Sequence, residues 1–585
     1  MNSIKKIFSW QFKLDQLKCL AEQNILDIPG IVQCRIRKIG GDTQYEMFER
    51  KENYAGRTPG DGANFALEAT LFLTSEFHPE WNECSFGIPL SELDFKATFT
   101  LQYNGVYFSL FADRKLVTDN YTYGNPPGSL PEHVSTSSDA VTFSQWSQEL
   151  ITEDKTAHDV TALHTWSPDG LNAWAGDVSL LYENGNFHIF YLFDRRHHGS
   201  KFGQGGHQWA HLVSRDLRTW EDHGVVLPFY KDHQTYGTGT PFQMGEKLIL
   251  TYGLHTGRII PNAEMEKAPD RYLRGATWAE SIDGGKTFQP TDKIFHLYSE
   301  NPSVYRLDDG TFLFHNGVDL RTAKTFPDFV MHKENIFPEG EESAMRNCRD
   351  CPAWFTWHEK HFMIMGFSGM WMDDAFDFPN PRDLAAEALD IYDGIQVPMV
   401  APYENDRRIM VGWLPITGWG GIMLLRELVW DTTNNVPGTR FLDEALPDLP
   451  CKPCPADSAV ESDCFFELDC QTGENVVLRF EGTDGNLEFR LDAASKRASL
   501  SRTDGMNPPC SLRENAAKGM RSFIDKTGGM ARENIPGLDK PYKIRFLLRY
   551  ERKWNGCVLD FEIASCRTMI GYFNGIKINR ITHVF

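Results

Sequence analysis

The chain has 585 residues, and 59 Lys and Arg against 80 Asp and Glu give it a net charge of −21. A surplus of this size repels phosphate backbones and anionic headgroups, so we expect neither a nucleic acid nor a membrane partner. Hydrophobic residues make up 41% of the chain and aromatic residues 13%, which is typical of globular proteins with large cores. No apolar run reaches the length of a membrane helix or follows Lys5 and Lys6 as in a secretion signal. These patterns predict a cytoplasmic protein.

The first 160 residues are predicted to hold an extension and a small β-sandwich. Residues 1–60 form the predicted extension, with a helix expected over residues 8–28. Apolar β-rich runs follow, and Asn104-Gly105 between two of them is typical of a tight hairpin turn. Residues 61–160 are therefore interpreted as an N-terminal β-sandwich with a linker.

A weak repeat occupies residues 161–435, with a period of roughly 45 to 65 residues. Each unit has a polar residue at its start, an apolar strand, a turn and an aromatic-rich strand. This pattern predicts a five-bladed β-propeller, whose first strands line a central channel. We expect the residues at the five starts to converge on one pocket; these starts lie near Asp177, Thr238, Glu300, Asp350 and Gln396.

Three of these starts carry carboxylates, namely Asp177, Glu300 and Asp350. Glycoside hydrolysis needs two carboxylates, one to attack the anomeric carbon and one to protonate the leaving oxygen. Spacing alone leaves a second interpretation open, in which these acids cap turns or pair with nearby arginines.

The remaining residues, 436–585, have short alternating segments that predict a linker and a C-terminal β-sandwich. The fold class predicted for the whole chain is all-β, a five-bladed propeller flanked by two sandwiches. No P-loop, dinucleotide fingerprint or H-E-x-x-H sequence occurs, and Cys451 and Cys454 lack a second ligand pair at zinc-site spacing. The sequence therefore predicts no cofactor and no metal.

Several motifs in the repeat region are collinear with those of one enzyme family. Residues 174–191 read WAGDVSLLYENGNFHIFY, 209–220 read WAHLVSRDLRTW, 281–288 read SIDGGKTF and 419–428 read WGGIMLLREL. Together with the C-terminal segment, they resemble glycoside hydrolase family 32, the β-fructosidases. The resemblance leaves about the first 160 residues outside it.

The resemblance implies roles for individual residues. Asp177 falls on the family's nucleophile, and Asp350 stands where the family has its glutamate acid/base. Glu300 is the reserve acid, and Asn301 replaces an aspartate that holds sugar hydroxyls. A lining of Trp174, Trp354 and Phe355 is expected to desolvate Asp350. The predicted substrate-binding residues are Asn301, Trp174, Trp209, His211, Gln396 and Arg349; for Trp209, His211 and Gln396, a packing or turn-capping role remains an equal alternative.

The function that follows from the resemblance is a glycosidase that cleaves terminal furanosides, with fructosyl residues of a fructan or sucrose-type oligosaccharide as the first expectation. The mechanism is expected to be double displacement with retention of configuration. Three alternatives stay open: a catalytically silent carbohydrate-binding propeller, a fructosyl-transferring enzyme and an arabinofuranosidase. In each case the expected partner is an oligosaccharide or small sugar.

Overall fold

The computed structural model describes residues 6–38, 65–154, 158–170, 173–195, 199–256, 259–297, 301–307, 309–334, 336, 350–366, 369–416, 419–504, 529–551 and 556–584. Nearly all regular structure in these ranges is β, which confirms the all-β prediction. None of the helices in these ranges is both long and apolar enough to cross a bilayer.

Two antiparallel sheets form the N-terminal part and share one apolar core. Their strands are β1 (Phe8–Leu14), β2 (Gln23–Ile28), β3 (Val32–Lys38), β4 (Phe65–Phe72), β5 (Glu83–Pro89), β6 (Phe99–Tyr103), β7 (Tyr107–Ala112), β8 (Lys115–Tyr121) and β9 (Val141–Ser147). One sheet has the order β8-β7-β6-β1-β9 and the other the order β2-β3-β4-β5.

The helix predicted over residues 8–28 is wrong, because this segment contains β1 and β2. Phe8, Trp10, Phe12 and Leu14 are buried and alternate with more polar residues, which is the period of a strand rather than of a helix. Strand β1 pairs with β6 and β9. The N-terminal sandwich therefore begins at Phe8, and the described residues 8–38, which precede the predicted boundary at 61, contribute three strands to it.

Five groups of antiparallel strands follow, two with five strands and three with four. Their strands are β10 (His158–Thr161), β11 (Ala173–Glu183), β12 (Asn186–Arg195), β13 (Gln208–Ser214), β14 (Thr219–Leu227), β15 (Thr235–Tyr236), β16 (Pro241–Met244), β17 (Lys247–His255), β18 (Gly275–Ser281), β19 (Gln289–Pro290), β20 (Ser303–Arg306), β21 (Phe312–His315), β22 (Leu320–Ala323), β23 (Val330–Lys333), β24 (Ala353–Trp357), β25 (Lys360–Met365), β26 (Gly369–Asp373), β27 (Arg382–Asp383), β28 (Gln396–Tyr403), β29 (Arg407–Pro415), β30 (Gly421–Asp431) and β31 (Val436–Phe441). Two short helices, α1 (Ser200–Gly203) and α2 (Asn262–Lys267), lie in the connections.

The inner strands of these groups are β11, β16, β20, β24 and β28, and they contact one another in a closed ring. The first and fifth groups are joined in one nine-stranded sheet through the pair Ala175 and Gly421. Five separate blades therefore stay a prediction, whereas the ring of inner strands is observed. Strand β31 pairs with β30, so this region runs past the boundary predicted at residue 435.

The C-terminal part is again built of two sheets. Its strands are β32 (Cys451–Pro453), β33 (Asp457–Ala459), β34 (Cys464–Cys470), β35 (Val476–Gly482), β36 (Gly485–Asp492), β37 (Arg497–Arg502), β38 (Met530–Arg532), β39 (Tyr542–Glu551), β40 (Gly556–Ile563), β41 (Arg567–Asn574) and β42 (Ile578–Val584). One apolar core is continuous from the ring strands into these sheets. The C-terminal sandwich thus packs against the propeller.

Candidate active site

The starts of the inner strands meet at one end of the ring, and Asp177 lies at their centre. Strand β11 has a bulge between Ala175 and Val178, which redirects the Asp177 side chain out of the regular alternation. A Cβ atom on the neighbouring Gly176 would lie 2.1 Å from the ring of Trp419. Only glycine lets the indole pack this closely beside Asp177.

Three side chains from other groups of the ring donate hydrogen bonds to the Asp177 carboxylate. Thr238 Oγ1 lies 2.9 Å and Cys351 Sγ 3.2 Å from Oδ2, and Trp413 Nε1 lies 3.0 Å from Oδ1. These donors belong to the second, fourth and fifth groups of the ring. The carboxylate is therefore oriented by neutral donors that fix both of its oxygens.

Burial governs the protonation of Asp177. Its side chain is almost completely buried, and loss of hydration raises the pKa of the carboxyl group above its ordinary value. The hydrogen bonds from Cys351, Thr238 and Trp413 oppose this rise, and the negative charge of Asp350 adds to it. Perturbed carboxyl groups of this kind are concentrated at functional sites.

Asn301 lies in the same cluster as the sequence predicts, but its oxygen is already in use. Oδ1 accepts a hydrogen bond of 3.2 Å from the backbone N–H of Thr238, and the Cys351 thiol lies 3.8 Å away. The hydrogen bond to its oxygen links Asn301 to the backbone at Thr238. A contact of this carboxamide with a sugar stays a prediction, because an amide oxygen can accept a second hydrogen bond and the amide nitrogen is a donor.

Asp350 is close enough for its charge to act on Asp177, yet its own side chain is exposed. Its carbonyl oxygen accepts a 2.9 Å hydrogen bond from the N–H of Gly366, which fixes the backbone. The prediction that Trp174, Trp354 and Phe355 desolvate Asp350 is wrong. Those rings are buried in the apolar cores on either side of the fourth group.

Among the predicted binding residues, Gln396 has the burial and the unsatisfied polar atoms that best fit contact with a ligand. It is 2% exposed, and neither Nε2 nor Oε1 has a hydrogen-bond partner among the described residues. It begins strand β28 at a bulge and pairs with Trp413, which donates to Asp177. The adjacent Val397 has a φ of 47°, a strained value for a β-branched residue. A buried carboxamide without partners is costly unless a ligand satisfies it.

We expect Gln396→Leu to raise the free energy of unfolding by about 1 kcal/mol, because it removes a buried amide without partners. The same change should weaken sugar binding at least tenfold, roughly the loss expected for a missing hydroxyl contact. Chemical denaturation and calorimetric titration measure the two effects.

The matched control for that variant is Gln208→Leu. Gln208 is equally buried, but its Oε1 accepts from the Tyr107 hydroxyl at 2.7 Å and its Nε2 donates to the Tyr121 hydroxyl at 2.8 Å. Its loss should destabilise the protein by about 1–3 kcal/mol. Equal destabilisation by both variants would contradict the interpretation of Gln396.

The other predicted site residues have different positions. Trp174 is buried in the core beside the Asp177 bulge. Trp209 and His211 lie on β13 and are fully buried, and the His211 ring stacks on Phe190 at 4.1 Å. His211 also forms hydrogen bonds with His188 and the Gly285 carbonyl, which fits the packing alternative. A sugar contact of Trp209 or His211 stays a prediction. Glu300 and Arg349 lie outside the described residues.

Sequence reasoning placed Thr238 among the converging starts without a role, and it missed Cys351 and Trp413. Thr238 begins the second repeat unit, so the rule that selected Asp177 also applies to it. Cys351 follows Asp350 directly and has a φ of 50°, which turns its thiol toward Asp177. Trp413 lies within β29, and nothing in its local sequence indicates that its indole points toward Asp177.

The fold and this cluster define a class: all-β proteins with a buried, hydrogen-bonded carboxylate at the converging inner strands of a propeller. Residues 172–306 match the model of the Glycosyl hydrolases family 32 N-terminal domain. The chain is therefore related to this family, which confirms the resemblance seen in the motifs.

Two relatives of this chain differ in how far the similarity extends. It is 30% identical over 143 residues to a levanbiose-producing levanase of Bacillus subtilis (strain 168), covering 24% of each chain. It is 23% identical over 388 residues to a probable sucrose-6-phosphate hydrolase of Psychromonas ingrahamii, covering 55% of this chain and 65% of the relative. The chain thus spans less than two thirds of either relative.

Solved structures are similar at low identity. The sucrose-6-phosphate hydrolase from Lactobacillus gasseri has a TM-score of 0.49 and 13% identity, covering 73% of this chain and 90% of the other. A fructofuranosidase variant from Schwanniomyces occidentalis complexed with fructosylnystose has a TM-score of 0.48 and 13% identity, covering 74% and 96%.

Proposed function

We propose that the chain is a glycosidase that cleaves terminal fructosyl residues from an oligosaccharide by a retaining mechanism with two carboxylates. The observation that carries this proposal is the Asp177 carboxylate, buried at the converging strand starts and held by three donors. It lies in the segment that matches the family model, and the relatives include proteins named as levanases.

In the proposed reaction, an Asp177 oxygen attacks the anomeric carbon while Asp350 donates a proton to the leaving oxygen, and the glycosidic bond breaks. Asp350 then takes a proton from water, whose oxygen attacks the anomeric carbon and displaces Asp177. The donors on Asp177 keep it in position for attack and stabilise it as a leaving group in the second step. The exposure of Asp350 leaves it accessible to the water molecule that it deprotonates in the second step.

A panel of substrates tests the activity: sucrose, inulin-type and levan-type oligosaccharides, and an aryl α-L-arabinofuranoside. We expect fructose release from at least one fructoside, with the Asp350→Asn variant at least a hundredfold slower. Release of arabinose alone would assign a different furanoside. Binding of fructosides without any turnover would contradict the proposal and favour a carbohydrate-binding propeller.

The pH profile provides a second prediction, through Thr238. Asp177 must be ionised to attack, so its raised pKa sets the acidic limb of kcat/KM. The Thr238 hydroxyl stabilises the ionised form and lowers this pKa. We therefore expect Thr238→Val to move the acidic limb to higher pH, as measured by initial rates across pH. An acidic limb that stays in place or moves to lower pH would contradict its assignment to Asp177. The control is Thr240→Val, because the Thr240 hydroxyl donates to the Val304 carbonyl instead of to Asp177.

A further inference from the structure

The N-terminal sandwich is fixed against the first group of the propeller by buried polar contacts. Arg195 on β12 forms a 2.5 Å ion pair with Asp119 on β8, and both side chains are buried. The Tyr107 hydroxyl donates to Gln208, which donates in turn to the Tyr121 hydroxyl. Buried pairs of this kind tolerate little movement, so the surfaces beside them form a rigid, preformed interface.

A cleft of ≈ 860 Å³ runs along this interface. Its walls come from β6, β7 and β8 of the sandwich and from β12, β13 and β14 of the propeller. The volume lies within the range of about 300–1,000 Å³ that is usual for ligand sites, and such sites favour domain interfaces. None of the cluster residues Asp177, Thr238, Asn301, Cys351 and Gln396 lines it.

We propose that this cleft is a second carbohydrate site, which binds a neutral oligosaccharide; the identity of the sugar rests on the proposed function. Six carboxylates but only three Lys and Arg side chains line the cleft, so phosphorylated or acidic ligands are disfavoured. No metal-ligand cluster occurs in the part of the chain that the structure describes. The lining therefore points to a ligand without a strong charge.

The remaining wall groups have the chemistry of sugar recognition. Gln102 and Ser109 lie opposite each other on β6 and β7 and contribute an amide and a hydroxyl group. Gln102 is fixed because its Oε1 accepts a 2.8 Å hydrogen bond from the N–H of Ile151. The rings of Phe111 and Phe193 add apolar surface for the C–H faces of a sugar. Fixed polar groups between apolar patches suit a polyhydroxylated ligand.

A short series of neighbouring residues links the cleft lining to the Asp177 cluster. Gln208 lines the cleft and follows His207, whose ring stacks on Trp419 at 4.1 Å with an interplanar angle of 11°. Trp419 packs against Gly176 beside Asp177. A carbohydrate held in the cleft would stay close to the carboxylate, which raises the effective concentration of its chain ends there.

Calorimetric titration of the full chain with levan-type and inulin-type oligosaccharides tests this proposal. Asp177→Asn is the background, so that no sugar is consumed. We expect two binding sites per chain, and loss of one of them when Lys115→Trp places a large ring at the cleft edge. The control is Lys96→Trp, an exposed lysine of the same sandwich outside the cleft lining, which should keep both sites.

Hydrogen exchange at residues 107–121 adds a readout that does not depend on stoichiometry. Bound oligosaccharide should slow exchange there, and Lys115→Trp should abolish the effect. A single site in the background protein, or two sites in Lys115→Trp with protection unchanged, would overturn the proposal. Wild-type turnover is measured separately, so failure of the glycosidase proposal with cleft binding intact is distinguishable from failure of the cleft.

Discussion

Replacing Asp177 by asparagine is expected to abolish turnover and leave the protein at least as stable as the wild type. An asparagine cannot form the covalent intermediate, so kcat/KM should fall by at least about 10³-fold. Its carboxamide can still accept from Trp413, and its Nδ2 can donate to the Thr238 hydroxyl and the Cys351 sulfur. Initial rates and thermal unfolding measure the two effects.

The expected stability follows from the sign of the pKa shift. Burial raises the pKa of Asp177 in the folded state, so folding favours the protonated form. The protonated Asp177 therefore contributes to the stability of the fold. This stabilisation is fully present below the pKa of the unfolded state and is lost as pH rises through the pKa of the folded state. The neutral asparagine avoids that loss, so the gain in Tm over wild type should be larger at pH 7 than at pH 4.

Asp216→Asn is the control with the opposite sign. Burial is the largest single influence and raises the pKa of Asp216. Hydrogen bonds from the N–H groups of Thr219 and Arg218 and from the Ser214 hydroxyl together outweigh burial and lower the pKa below its ordinary value. Its contribution to stability is present above the unfolded pKa and is lost as pH falls through the folded pKa. This variant should therefore lose stability at pH 7. Asp177→Asn with a clearly lower Tm at pH 7 would contradict the account of a carboxylate buried for catalysis.

The largest effect on stability is expected at Arg426, which joins the propeller to the C-terminal sandwich. Its fully buried guanidinium lies 2.8 Å from Asp393 and 2.6 Å from Asp560. Arg426→Met leaves both buried carboxylates without the guanidinium and should lower the free energy of unfolding by about 3–5 kcal/mol. Asp393 lies just before Gln396, so substrate affinity should also fall. Chemical denaturation gives the first quantity and KM the second.

The matched control is Arg382→Met. Arg382 pairs with Glu387 at 2.7 Å, but both side chains are partly exposed, so its loss should cost no more than about 1 kcal/mol. A similar loss in the free energy of unfolding for the two variants would show that the buried pairs of Arg426 contribute no more to stability than a surface pair.

Sequence reasoning succeeded where a repeated pattern was available. The polar starts of the repeat units predicted that Asp177 and Thr238 meet, and these two side chains share a hydrogen bond, because the inner strands begin at the same end of the ring. It failed at residues 8–28, where the alternating strand Phe8–Leu14 and the next strand are separated only by a turn, so that the combined segment has the length of a helix.

The contacts inside the pocket could not be predicted, because they depend on local backbone distortions. A bulge redirects Asp177, a left-handed residue turns the thiol of Cys351, and neither feature has a specific sequence signature. The burial of His211 behind Phe190 depends on neighbouring strands, whereas its motif position suggested a sugar contact. The cleft beside the first group depends on how two domains pack, which local patterns do not encode.

The most direct test of the central claim is to identify the residue that carries the glycosyl group. Asp350→Asn is incubated with an aryl β-fructofuranoside, whose leaving group needs little protonation, so that the intermediate accumulates; the quenched protein is then digested and analysed by mass spectrometry. We expect a single hexosyl adduct on the peptide that contains Asp177, and none in the Asp177→Asn, Asp350→Asn double variant. An adduct on another carboxylate, or turnover by the wild type with inversion of configuration, would contradict the assignment of Asp177 as the nucleophile.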